Sequence, residues 1–152
     1  MSVKILLLTI GKPKDRRITS LAGEYLSRIR PGLMVTDSVP DRPNSKDGTV
    51  REGQDILQKL RPRDRLILLS EDGTEHNSLS FATFLSREMD VTPGRVVLVI
   101  GGPWGVSAVL KERADLLLSL SRMTFPHELC FLFLAEQLYR AFSIAQGSGY
   151  HH

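Results

Sequence analysis

The chain has 152 residues, 41% hydrophobic and 24% charged with a net charge of +3, which is ordinary for one globular domain with a single sizeable core. A lone cysteine, Cys130, excludes an internal disulfide and a cysteine-based metal cluster, and the four histidines have no metal-binding spacing. With neither a signal peptide nor an apolar run of about 18 residues, we expect one cytoplasmic domain over residues 1–152 that uses no metal and no membrane.

Strand and helix patterns alternate along the chain. Apolar runs and amphipathic spacing predict a strand at 3–9, a helix at 18–30, a strand at 33–39, a helix at 49–60, a strand at 66–69, a helix from 78 or 80 to 89, and a strand at 96–100. Thr49 and Glu52 fit a capping box, and Ser78 or Ser80 fits the N-cap of the third helix. This βαβαβαβ order predicts an α/β fold, a mostly parallel sheet with helices on both faces.

Positive charge is concentrated in the first part of the chain. Residues 1–65 hold 14 Lys and Arg against 8 Asp and Glu, whereas residues 66–152 hold 6 against 9. Two loops, 12–17 and 61–65, carry much of the excess. This distribution suits a polyanion such as RNA, although a solvated basic face explains the charge equally well.

The strand at 96–100 ends in a glycine-rich turn, Gly101-Gly102-Pro103-Trp104-Gly105, and a helix capped by Ser107 is predicted to follow. Because glycine has no Cβ, such a turn lets main chain approach a ligand at the carboxyl end of a strand. A plain tight turn is an equally good interpretation of the turn alone. The turn has neither the lysine of a P-loop nor the Gly-x-Gly-x-x-Gly of a dinucleotide site.

Three loops at strand carboxyl ends remain as candidates for a binding site. The first follows Leu69, and the second contains Gly101-Gly102. The third spans residues 121–126, after a short strand predicted at 116–120. Loops that expose so much main chain could bind an uncharged, adenine-containing cofactor. Cys130, in the apolar segment that follows, is expected to pack rather than react.

A final helix is predicted at 127–146, and Gly147 ends it. Its apolar residues cover more than one stripe, which predicts cover from a homodimer partner. The apolar pattern is interrupted by Glu136, Tyr139 and Arg140. Each could form a salt bridge at the rim of the dimer interface, pack within that interface, or have a functional role. The tail containing Tyr150 and His151 could fold back over a cleft.

Several segments of the second half resemble those of the RlmH family, SPOUT-class methyltransferases of large-subunit ribosomal RNA. The matching segments are Gly101–Gly105, Ser119–Ser121, Thr124–His127, Leu134–Ile144 and Tyr150-His151. Trp104 departs from the glutamate that the family often has, and could stack on a base or fill the cleft mouth. The tail Gly149-Tyr150-His151-His152 lacks the family's proline and its final basic residue, which weakens a role for tail charge in RNA binding.

The resemblance implies an α/β-knot with a C-terminal trefoil knot, working as a homodimer. It implies transfer of a methyl group from S-adenosylmethionine to N3 of pseudouridine-1915 in 23S rRNA of the assembled ribosome. The cofactor-binding positions that it carries over are Leu69, Gly102, Ser121, Arg122, Met123, Thr124, Phe125 and Pro126.

The catalytic candidates follow from the same resemblance. His151 would accept the N3 proton or orient the base, and Arg140 would stabilise the anionic base. Tyr139 and Glu136 would support them or lie at the interface, and the loops 12–17 and 61–65 would hold rRNA phosphates. Two other functions stay open: a ribosome-binding assembly factor without catalysis, and a SPOUT enzyme for tRNA.

Overall fold

Within residues 3–43, 45–102 and 105–152, the parts of the chain that this computed structural model describes, five strands alternate with five helices. In chain order they are β1 Ile5–Ile10, α1 Arg16–Ser27, β2 Met34–Val39, α2 Lys46–Lys59, β3 Arg65–Glu75, α3 Ser78–Val91, β4 Val96–Ile100, α4 Ala108–Arg113, β5 Leu116–Ser119 and α5 His127–Ala145. The predicted order of strands and helices is confirmed.

The five described strands form one sheet in the order β2-β1-β4-β3-β5, and every pair is parallel. Leu98 of β4 lies opposite Leu7 of β1 on one side and Ile67 of β3 on the other. All three side chains are fully buried. Parallel strands covered on both faces need apolar residues at successive positions, which explains the unbroken runs in β1 and β4. The predicted α/β class is confirmed.

Alternate residues of the strands enter two separate cores. Leu7 and Leu98 face the core beneath α1, α3 and α5, whereas Leu8 and Val99 face the core beneath α2 and α4. Fully burying one leucine contributes about 1.5–3 kcal/mol, so the central strands anchor both layers. Because the five described strands are all parallel, they end at one edge of the sheet, which we call the carboxyl edge, and begin at the other, the amino edge.

Two predicted helix starts are wrong. The N-cap of α2 is Ser45, not Thr49: its hydroxyl accepts from the N–H of Gly48 at 2.9 Å. Glu52 instead accepts from the N–H of Arg42 at 2.8 Å. The N-cap of α3 is Asn77, whose side chain accepts from the N–H of Ser80, so neither Ser78 nor Ser80 is the cap.

β3 is longer than the predicted strand at 66–69, because the predicted turn lies inside it as a bulge. Leu69 and Thr74 both lie opposite Leu118 of β5, so residues 70–73 are looped out of the pairing. A Cβ on Gly73 would lie 2.6 Å from the backbone nitrogen of Leu118. The bulge therefore requires glycine where it touches β5.

α5 lies against α1, α3 and β4 of its own chain. This arrangement explains why its apolar residues cover more than one stripe: Leu134 and Leu138 are fully buried without any second subunit. Phe133 keeps 39% of its surface exposed. The homodimer and the trefoil knot stay predictions. No helix in the described ranges is long and apolar enough to cross a membrane.

Candidate active site

The three predicted cofactor loops lie side by side at the carboxyl edge. Leu69 is near the end of the regular part of β3, Gly102 follows β4, and the segment 121–126 follows β5. These three strands are consecutive in the sheet. Since neighbouring strands are about 4.8 Å apart, the loops converge within roughly 10 Å of one another. The fold therefore brings together the predicted positions from distant parts of the sequence.

The glycine turn brings main chain close to β1. A Cβ on Gly102 would lie 3.3 Å from Cγ2 of Ile10, and a Cβ on Gly101 would lie 2.8 Å from a methyl of Val106. Gly105 has φ of 86° and donates its N–H to the carbonyl of Gly102 at 3.2 Å. Pro103 and Trp104 are outside the described residues, so the role predicted for Trp104 stays a prediction.

The segment after β5 is shaped by serine hydroxyls. Ser119 donates its hydroxyl to the carbonyl of Ser121 at 2.9 Å, and the hydroxyl of Ser121 accepts from the N–H of Met123 at 3.0 Å. Met123 is 72% exposed, and Arg122 pairs with Glu75 at 2.7 Å on the surface. Thr124 and Pro126 are also exposed. Most of these side chains lie in solvent, which leaves the main chain of the segment available to a ligand.

A cavity of about 660 Å³ lies beside this segment. Ser121 and Phe125 line it, together with residues of α1, α3 and α5. The α5 residues include Phe133, which meets Phe125 edge to face at 5.2 Å, and the carboxylate of Glu136. Its volume is within the range of about 300–1,000 Å³ that is typical of small-molecule sites.

Arg140 and His151 are in direct contact. Nη1 of Arg140 lies 3.1 Å from Nδ1 of His151, and Nε of Arg140 donates to Oε1 of Glu136 at 2.6 Å. The guanidinium carbon lies 4.8 Å from the ring centroid of Tyr150, so the tail is folded back onto α5. Glu136 also lines the cavity, and it therefore links the predicted cofactor segment to the Arg140–His151 pair.

The charges of this cluster follow from its contacts. The hydrogen bond that Arg140 donates to Glu136 raises the pKa of Arg140, which stays a cation. Burial raises the pKa of Tyr150, and the negative charge of Glu136 adds to the effect. Since a guanidinium can only donate, Nδ1 of His151 accepts in this contact, and the proton of a neutral ring is on Nε2. His151 so placed presents an N–H donor, which suits the orienting role better than the role of proton acceptor.

Tyr25 of α1 and Arg28, the C-cap of that helix, extend this cluster. The rings of Tyr25 and Tyr139 are 6.1 Å apart, and Tyr139 meets Tyr150 edge to face at 4.7 Å. The guanidinium carbon of Arg28 lies 5.7 Å from the ring of Tyr139. Neither Tyr25 nor Arg28 is among the predicted site residues, because a contact between α1 and α5 leaves no local signal in the sequence.

The two basic loops lie at opposite edges of the sheet. Residues 12–17 follow β1 and are at the carboxyl edge, whereas residues 61–65 precede β3 and are at the amino edge. In the second loop, Asp64 forms a buried ion pair with Arg95 at 2.6 Å, and Arg65 pairs with Glu88. The first loop is therefore the one that shares the carboxyl edge with the predicted cofactor segments.

Comparison with known proteins assigns the family. The family model described as "Predicted SPOUT methyltransferase" matches residues 3–151. The chain belongs to the SPOUT methyltransferase family. Ribosomal RNA large subunit methyltransferase H of Porphyromonas gingivalis W83 is 38% identical over 156 residues, covering 99% of each chain. The protein of that name from Christiangramia forsetii is 36% identical over 158 residues, covering 100% of this chain and 99% of its own.

A solved structure also resembles this member of the SPOUT family in fold. The crystal structure of a probable methyltransferase from Bordetella pertussis Tohama I superposes with a TM-score of 0.51, covering 91% of this chain and 93% of that one. The sequences are 13% identical, so the likeness concerns the fold alone. It agrees with the α/β architecture described above.

Proposed function

We propose that residues 1–152 form one S-adenosylmethionine-dependent methyltransferase domain that modifies N3 of pseudouridine-1915 in 23S rRNA of the assembled ribosome. The observation that carries this proposal is the convergence of the three loops at neighbouring strand ends, in a chain of the SPOUT family. Relatives that match the chain over its full length are named as ribosomal RNA large-subunit methyltransferases. We propose a cytoplasmic location as well, because the proposed substrate is the ribosome.

The residues present fit S-adenosylmethionine. At Gly101 and Gly102 the main chain lies so close to Val106 and Ile10 that a side chain would crowd them, so bare backbone is presented at the end of β4. The cavity beside Ser121 and Phe125, about 660 Å³, is within the volume range of small-molecule sites. The main chain at Leu69, at Gly102 and along 121–126 would hold it. When bound, the cofactor supplies a methyl group on a sulfonium centre.

The protein's part in the reaction is alignment and charge. The N3 atom of pseudouridine must lose its proton to solvent water to become a nucleophile, and the resulting anion needs a cation. Arg140 supplies that cation, since a guanidinium is always protonated in proteins, and Glu136 orients it. His151 would orient the base through Nε2–H, and Tyr139 would hold the tail through its contact with Tyr150. Removing one such electrostatic group typically lowers kcat about 10²–10³-fold.

Binding of the rRNA is assigned to the basic loop 12–17. Lys12, Lys14 and Arg16 are exposed at the same edge as the cofactor loops. Contacts of lysine and arginine with phosphates release counterions, so binding by this loop must weaken as salt rises. The loop 61–65, at the other edge, has no such relation to the cofactor loops.

We also propose the homodimer. Exposed apolar side chains flank the cavity: Leu21 is 41% exposed, Phe133 39% and Met123, in the adjoining segment, 72%. A second subunit would cover this surface and enlarge the area available to rRNA.

Two measurements test the proposed function. Calorimetric titration with S-adenosylmethionine should give saturable heat, and purified ribosomes from a strain lacking the corresponding gene should gain one methyl group on 23S rRNA, mapped by mass spectrometry. A non-catalytic assembly factor would give no heat. An enzyme acting on tRNA would bind the cofactor but leave the ribosomes unmodified.

A further inference from the structure

Glu128, in the first turn of α5, contacts a loop more than a hundred residues earlier in the chain. Its Oε1 atom accepts from the main-chain N–H of Lys14 at 2.6 Å and from that of Asp15 at 2.9 Å. A carboxylate that receives two N–H groups makes charge-assisted hydrogen bonds, which are stronger than neutral ones. This contact joins α5 to the basic loop at the carboxyl edge.

The basic loop is held at both ends as well. At its start, the N–H of Gly11, which has φ of 78°, donates to the carbonyl of Val39 at 2.8 Å. At its end, Asp15 is the N-cap of α1 and accepts from the N–H of Arg17 at 2.9 Å. Glu128 adds a contact between these ends, next to the exposed Lys14. The main chain carrying the positive charges is thus fixed before any ligand binds.

On the other side, Glu128 belongs to the turn that begins α5. That turn starts directly after the segment 121–126, and the N–H of Cys130 donates to the carbonyl of Pro126 at 3.1 Å. Within a few residues, therefore, the chain passes from the proposed cofactor segment to the carboxylate that holds the basic loop. One side chain relates the two proposed binding elements.

We infer that Glu128 is a positioning residue for RNA: it sets the place of the phosphate-binding lysines relative to the methyl-donor segment. The inference rests on the proposed function. A loop ordered in advance loses less conformational entropy when it binds. Glu128 itself makes no contact with substrate in this role, and it acts through the main chain of Lys14 and Asp15.

The sign of the effect separates positioning from simple electrostatics. A carboxylate near phosphates repels them, so on charge alone any neutral replacement of Glu128 should tighten RNA binding. Positioning predicts the opposite for Glu128→Ala, which removes the acceptor. Glu128→Gln removes the charge and keeps a carbonyl oxygen that can accept from both N–H groups.

The test compares these variants in the full-length protein with ribosomes and S-adenosylmethionine. For Glu128→Ala we expect the KM for ribosomes to rise about fivefold or more, with kcat and the calorimetric Kd for S-adenosylmethionine changed less than about twofold. Glu128→Gln should keep the wild-type KM or lower it. Glu112→Ala, which removes an exposed glutamate of α4, is the matched control and should change nothing.

Hydrogen exchange at the amides of Lys14 and Asp15 gives a readout that does not depend on activity. Exchange should quicken in Glu128→Ala and stay slow in Glu128→Gln. An unchanged or lower KM in Glu128→Ala would overturn the inference, as would unchanged exchange. If the alanine variant does not fold, Glu128→Ser replaces it. If the wild type leaves ribosomes unmethylated, the proposed function fails, and ribosome affinity measured by sedimentation then decides the role of Glu128.

Discussion

Arg140 and His151 are eleven positions apart in sequence, and a 3.1 Å contact between Nη1 and Nδ1 joins the last helix to the tail that follows it. The acceptor in that contact is an imidazole nitrogen, and the donor is a guanidinium held from its other side by Glu136. The pair is therefore oriented before a substrate arrives. Each side of it can be removed by a separate substitution.

His151→Ala and Arg140→Ala should each lower single-turnover methylation at least about tenfold, with the Kd for S-adenosylmethionine retained. In His151→Asn, the amide oxygen can replace Nδ1 as acceptor, so we expect part of the lost rate to return. Equal rates in the wild type and both alanine variants would remove the assigned roles. An asparagine variant as slow as the alanine variant would show that the Arg140 contact does not explain the role of His151.

The acid dependence of stability should carry a contribution from Asp15. Its hydrogen bonds with Arg17, the side-chain one first, lower its pKa from 3.8 to about 2. Because the folded pKa is below the unfolded one, the contribution is fully present above pH 3.8 and is lost as pH falls through about 2. Asp15→Asn keeps an N-cap but lacks the charge.

We therefore expect the Tm of the wild type to exceed that of Asp15→Asn by a constant amount above about pH 4, with the gap closing toward about pH 2. Thermal unfolding followed by circular dichroism across this range measures the gap. A gap that does not depend on pH would mean that the Asp15–Arg17 pair is not formed in solution.

Two glycines of the carboxyl edge should respond differently to alanine. Gly73 has backbone atoms of Leu117 and Leu118 within 2.6 Å of where a Cβ would lie, so Gly73→Ala should destabilise the fold by about 2 kcal/mol or more. Gly102 meets a movable side chain, Ile10, at 3.3 Å, so Gly102→Ala should cost less than about 1 kcal/mol.

Gly102→Ala should nevertheless bind S-adenosylmethionine at least about tenfold more weakly, because a methyl group against Ile10 shifts the main chain that we propose holds the cofactor. Urea unfolding and calorimetry separate the two effects. Gly23→Ala, on α1 with open space around the new methyl, is the control, and it should gain about 0.5–1 kcal/mol from helix propensity. Unaltered cofactor affinity in Gly102→Ala would place the methyl donor elsewhere.

The salt dependence of ribosome binding should locate the phosphate contacts. Lys12→Ala and Lys14→Ala should each reduce the slope of log affinity against log salt by roughly 0.7–1, because each lysine that contacts a phosphate releases about one counterion. Arg63→Ala, in the basic loop at the amino edge, should leave the slope unchanged. Binding measured between low and moderate salt decides, and a change in slope only for Arg63→Ala would reverse the assignment of the two loops.

The buried pair of Asp64 and Arg95 should be important for stability. The Asp64 side chain is 1% exposed, and Arg95 donates to it through Nε and Nη2. Burial tends to raise the pKa of Asp64, but the hydrogen bonds from Arg95 and from the N–H of Arg61 together outweigh it and lower the value. Asp64→Ala leaves the guanidinium without its partner, which should cost about 3–5 kcal/mol in urea unfolding. A loss below about 1 kcal/mol would show that water compensates Arg95.

The order of the elements could be predicted because apolar runs and helical spacing are local patterns. Helix starts depend on packing that the local sequence does not show. The capping-box pattern of Thr49 and Glu52 predicts a start at Thr49, but α2 begins at Lys46 and contains Gly48. In the structure a Cβ at that position would lie 2.1 Å from the carbonyl of Pro43, so the close approach requires glycine inside α2. The cap Asn77 stands beside two serines, and all three are good caps by residue type.

The candidate site was predicted less completely than the sheet. Its loops could be placed by the rule that parallel strands end at one edge, and the particular residues came from a family resemblance. The contact of Glu128 with Lys14 and that of Arg28 with Tyr139 join segments that only the fold brings together. Such contacts leave no trace in periodicity, and the bulge at residues 70–73 appears in sequence as an ordinary turn.

The position of β1 inside the sheet bears on how a ribosome-synthesised chain reaches its native state. β1 is made first, yet its inner neighbour is β4, and β3 cannot pair with β5 until residues 116–119 exist. During synthesis, therefore, β1 and β3 are exposed before their partner strands β4 and β5 have been made. Pairing of such distant segments is slow. Nascent chains should consequently depend on chaperones until α5 has left the ribosome and packed onto the strands.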